Sequence, residues 1–113
     1  FPWVANARAV MQNETVGWVK SIHETRSGKL VGLVMVGPHV TDMVEAGVVA
    51  IDAEVTVETV ADGMAPHPTL SEAIKEAGLV ALGRPIHVPP RNGPRATALR
   101  HGMTRPESAD ARA

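Results

Sequence analysis

The chain has 113 residues, enough for one domain and not for a second. Apolar residues make up 44% and charged residues 20%, which excludes a disordered chain. No cysteine is present, so a disulfide scaffold, a zinc–thiolate site and a cysteine nucleophile are excluded within it.

The net charge of −1 is unevenly spread. Residues 1–83 hold 5 basic and 10 acidic groups, whereas residues 84–113 hold 6 basic and 2 acidic ones. We therefore read 1–83 as the folded unit and 84–113 as a Pro/Arg-rich, largely disordered tail. The tail's arginines have no aromatic residue among them, which argues against a single-stranded nucleic-acid site. A loose electrostatic contact with the acidic body is the alternative. The longest apolar run, Leu30 to Val36, is far too short to span a membrane. No signal-peptide pattern opens the sequence, and because it begins at Phe1 and not at methionine, a piece of a longer protein is expected. The excess of arginine over lysine points to a GC-rich bacterial gene, and a cytoplasmic location is expected.

In chain order, Phe1–Val4 reads as a strand cut short by the chain start, and Asn6–Asn13 has only weak helical tendency. Val16–Glu24 reads as a strand with Val16, Trp18 and Ile22 on one face and Val19 on the other. Thr25–Lys29 is a turn with Gly28 available for a positive φ. The unalternating run Leu30–Val36 predicts a strand covered on both faces and completes a hairpin. Val40, Met43, Val44, Gly47, Val48 and Ile51 form the stripe of an amphipathic helix over residues 40–53. Thr56 and Gly63 bracket a short helix as N-cap and C′ residue. Thr69-Leu70-Ser71-Glu72 is a capping box opening a helix that Gly83 ends. The fold class is α+β, with an antiparallel hairpin packed against about three helices in two layers.

The chemistry concentrates in Ala65–Glu72. Two prolines hold the backbone on either side of His67, immediately before a helix start whose positive end favours the neutral imidazole. Glu72, five positions on, can reach the ring, fix its tautomer and leave the other nitrogen as a base. The competing reading gives Glu72 only its capping-box bond and makes His67 a plain loop histidine. His23, His39, His87 and His101 lack metal-ligand spacing and read as surface residues, so no metal is expected. Trp3 and Trp18 read as core or interface residues, and the sequon Asn13-Glu14-Thr15 as irrelevant to function.

His67-Pro68-Thr69-Leu70-Ser71-Glu72 resembles a signature of the pyridine nucleotide–disulfide oxidoreductase family, in its dihydrolipoamide dehydrogenase branch. Asn6-Ala7-Arg8-Ala9, Val16-Gly17-Trp18-Val19-Lys20 and the Gly28–Gly32 and Val36–Pro38 segments are similar to that family's C-terminal domain, in the same order. The resemblance spans about residues 1–87 and implies a dimerisation (interface) domain, lacking the family domain's opening strand and helix. It implies a homodimer in which His67 is acid–base for a dithiol on the partner subunit, oriented by Glu72, with His67 and Pro68 near the partner's flavin. The His67–Pro68 bond is a candidate cis peptide on the same ground. FAD and NAD are implied for the full-length parent, with dihydrolipoamide or a lipoyl protein as substrate, and neither cofactor for this chain alone. No nucleic-acid or membrane partner is implied.

Departures from the family pattern are Ala65, where a second histidine often stands, Pro66 for alanine and Asp42 for glutamate. Glu72-Ala73, in place of two glutamates, favours the lipoamide branch over glutathione-reductase-like members. No Gly-x-Gly-x-x-Gly occurs, so the dinucleotide fingerprint is absent. Two alternatives stay open: a stand-alone non-catalytic assembly module, and the same domain of another small-disulfide reductase.

Overall fold

The computed structural model describes residues 1–90. Residues 91–113, most of the expected tail, lie outside the described residues. Strand β1 (Trp18–His23) pairs antiparallel with β2 (Leu30–Val36), placing Trp18 opposite Val36, Lys20 opposite Val34 and Ile22 opposite Gly32. The register slips between Ile22 and His23, so that His23 faces Leu30. Gly28 takes the expected positive φ in the connecting turn.

The predicted strand at the chain start is reduced to a single bridge between Pro2 and Trp18. Phe1 exchanges two backbone bonds with Val19 and the Trp3 N–H donates to the Gly17 carbonyl, but the chain then turns into a 3₁₀ segment, Trp3–Ala5, and the pairing ends. The ambiguous stretch that follows contains a short helix, α1 (Ala7–Met11), capped by the Asn6 side chain accepting from the Ala9 N–H.

After the hairpin, His39 in a left-handed conformation leads into a 3₁₀ turn at Val40–Asp42. The helix expected over 40–53 is regular only as α2 (Val44–Asp52). Its stripe is half used. Met43 and Gly47 are buried, whereas Val44 and Val48 stay exposed. Gly47 sets this: a Cβ there would come within 2.6 Å of Leu33 Cδ2, so the helix seats its glycine on β2. Helix α3 (Val57–Asp62) has Thr56 as its N-cap, accepting from the Thr59 N–H. Gly63 follows it in an extended conformation, not the left-handed one that a C′ glycine takes.

Helix α4 (Glu72–Ala81) organises the molecule. One side meets the inner hairpin face in a core of Trp3, Ala9, Val19, Met43, Ala73 and Ala77, with Leu33, Met35 and Leu70 packed around it. The other side meets α3 through Val57, Ala61, Leu79 and Leu82. This is the two-layer α+β arrangement expected. The described residues cover the hairpin on one face only, contrary to the expectation for β2. Trp18 (40%), Ile22 (41%), Val34 (42%) and Val36 (47%) share the open face. Valine content could not distinguish a strand buried twice from one whose outer face is apolar.

Candidate functional site

The site is built on the first turn of α4. Glu72 accepts from the Thr69 N–H at 3.0 Å, and the Glu72 N–H donates to Thr69 Oγ1 at 3.2 Å, closing the capping box. The same carboxylate holds His67 Nδ1 at 2.9 Å through Oε1 and 3.0 Å through Oε2. The two sequence readings of Glu72 are therefore compatible: one side chain caps the helix and orients the imidazole. Burial pushes the Glu72 carboxyl up, but the Thr69 N–H, the His67 hydrogen bond and the charges of His67 and His87 outweigh it. The carboxyl is held below the usual glutamate range.

The loop that presents His67 is fixed from several directions. The His67–Pro68 peptide is cis. Thr69 Oγ1 donates to the Pro66 carbonyl at 2.7 Å. Asn6, 1% exposed, donates from Nδ2 to the Thr69 carbonyl at 3.0 Å while its Oδ1 caps α1. Asn6 is a positioning residue for the site. Its sequence signal was an asparagine before a helix, which indicates a cap but not a tie to residues more than sixty positions away.

His67 and Glu72 differ sharply in exposure. The His67 side chain is 56% exposed, whereas that of Glu72 is 8% exposed. With Nδ1 engaged by a buried carboxylate, Nε2 is the nitrogen left for chemistry, the arrangement of a histidine–carboxylate acid–base pair. The ring opens onto a cavity of about 270 Å³ lined also by Lys75, Glu76, Ile86 and His87.

His87 is exposed, as expected, but it is also paired. Its Nδ1 lies 2.8 Å from Glu76 Oε1, and its ring is parallel to that of His67 within 4°, with centroids 5.8 Å apart. One ligand atom each from His67, Glu72 and His87 lie within 4.8 Å of one another, a proximity that linear spacing did not show. The signal available in the sequence was Glu76 itself, an acid on the core-facing side of α4 beside Ala73 and Ala77, where an acid needs a partner. His23 is also half-buried, and burial holds its ring below the usual histidine range. His39 pairs with Glu14 at 3.1 Å on the surface, and His101 lies outside the described residues.

The family model for the pyridine nucleotide-disulphide oxidoreductase dimerisation domain matches residues 1–78. The chain belongs to this family. Among curated relatives, the dihydrolipoyl dehydrogenase of Zymomonas mobilis is 44% identical over 77% of this chain and 19% of its own length. That of Geobacillus stearothermophilus is 41% identical over 78% of this chain and 19% of its own. Among solved structures, the crystal structure of LpdA from Mycobacterium tuberculosis matches with a TM-score of 0.66 and 33% identity. The match covers 69% of this chain and 17% of that one. The chain thus spans about one fifth of the curated relatives it matches, and the family match includes both His67 and Glu72.

Proposed function

We propose that this dimerisation domain serves a flavin-dependent dihydrolipoyl dehydrogenase, presenting His67 and Glu72 across a two-fold interface to a dithiol on the partner subunit. The observation that carries the reading is the grip of a buried carboxylate on Nδ1 of an exposed imidazole at a cavity mouth. In that role His67 Nε2 takes a proton from the substrate thiol, because the thiolate is the nucleophile in disulfide exchange. Glu72 holds the tautomer and stabilises the imidazolium that forms. The proton then returns through the same nitrogen to an acceptor thiolate or to water.

FAD and NAD, expected for the parent, do not fit the cavity of about 270 Å³, whose walls bring two buried carboxylates. A small dithiol is the more suitable occupant. The described residues offer acid–base groups, with His67 and Pro68 near the partner's flavin in the proposed dimer, and the other contacts of both cofactors fall to the remaining four fifths of such an enzyme. Among these residues no helix is long and apolar enough to cross a membrane.

The test is His67→Gln in the full-length parent, assayed with dihydrolipoamide. General acid–base groups contribute roughly 10²–10⁴-fold, and a loss of that size is expected. Near-full turnover by the variant would defeat the reading.

A further inference from the structure

Helix α4 carries a second buried carboxylate that the proposed function leaves unused. Glu76 sits one turn after Glu72 and is 2% exposed. A buried carboxylate is costly unless its oxygens are hydrogen-bonded. Those of Glu76 meet His87 Nδ1 at 2.8 Å and the N–H groups of Ile86 and His87 at 3.4 Å each. The chain returns to meet it because Gly83, at φ +69°, closes α4. The Gly83 N–H donates to the Val80 carbonyl and the Arg84 N–H to that of Leu79, the paired bonds of a Schellman turn.

The same unit therefore occurs twice, side by side. In each, a carboxylate of α4 holds Nδ1 of an imidazole that comes from outside the helix. Both rings line one cavity, and both side chains are partly exposed, 56% for His67 and 36% for His87. A histidine serving only to satisfy Glu76 has no need to open onto the cavity that His67 uses.

We infer that His87 and Glu76 form a second acid–base pair of this site, so that the cavity can accept two protons, one at each Nε2. The inference rests on the proposed function for its substrate, a dithiol. When a dithiol is oxidised by a protein disulfide, one S–S bond forms in the substrate and one breaks in the acceptor. Two electrons pass to the acceptor sulfurs, and two S–H protons leave the substrate. His67 takes one and His87 the other, and both protons end on the acceptor thiolates or in water. A single base would have to discharge between the two deprotonations. The charged groups facing the rings are Glu72, Glu76 and Lys75 of α4, with the Phe1 amine acting on Glu76. Ala65, Pro66 and Ile86 add no charge.

One measurement separates this inference from the function it rests on.

In the full-length parent, log kcat/KM rises with slope two on its acid limb. The slope falls to one in His87→Gln, with a loss of about 10²-fold. Because His87→Gln leaves Glu76 buried alone, the double variant Glu76→Gln/His87→Gln repeats the measurement with a neutral pair. A large loss in His67→Gln beside an unchanged profile in His87→Gln overturns this inference alone. Full activity in both variants removes the proposed function as well.

Discussion

At the scale of residues, Glu72 is the side chain on which the site depends, because capping and orientation share one carboxylate. Its carboxyl is held below the usual range in the fold, so the unfolded chain binds the proton first as the pH falls. The stability it contributes is complete above the unfolded glutamate value of about 4.3 and is lost as the pH falls through the lower folded one. Glu72→Gln is expected to cost about 1.5–3 kcal/mol at neutral pH, the worth of a charge-assisted hydrogen bond. It should also flatten the loss of stability between about pH 5 and pH 3. Urea unfolding of both proteins at three pH values checks this, and parallel pH curves would contradict it. His67 and Glu72 were legible because five residues of sequence carry them. His87 and Glu76 were not, since a reversal at Gly83 joins them and linear spacing says nothing about where a chain goes after a helix.

At the scale of elements, the turn chemistry was the most readable. The capping box, Thr56, Gly28 and Gly83 act through their own neighbours, so local sequence carries their signal. Packing faces were less readable. The α2 stripe predicted burial for Val44 and Val48, but the seat of Gly47 on Leu33 decides which side turns inward. The hairpin's end depends on another close approach that patterning missed. Gly17 takes φ +142°, and a Cβ there would lie 2.0 Å from the Val36 carbonyl oxygen. Gly17→Ala must displace backbone as well as adopt a strained φ. We expect a loss of about 2–3 kcal/mol, measured as a lowered urea midpoint with unchanged slope. A variant as stable as the wild type would mean that the two strand ends separate freely.

At the scale of the whole molecule, the described residues leave apolar surface uncovered. The outer hairpin face presents Trp18, Ile22, Val34 and Val36, and α2 presents Val44, Val48 and Val49. Apolar patches beyond a few hundred Å² are uncommon on monomers, and a two-fold dimer would bury the same patch on both copies. Such an assembly suits a dimerisation domain. The proposed action of His67 across that interface is tested most directly by subunit complementation. One full-length subunit carries His67→Gln, and the other keeps His67 but has the cysteines of the proposed acceptor disulfide replaced by serine. Each homodimer should then be inactive with dihydrolipoamide. Mixed dimers should recover activity at one of their two sites, because one site combines intact cysteines with the other subunit's His67. Mixed dimers as inactive as either parent would show instead that His67 serves its own subunit.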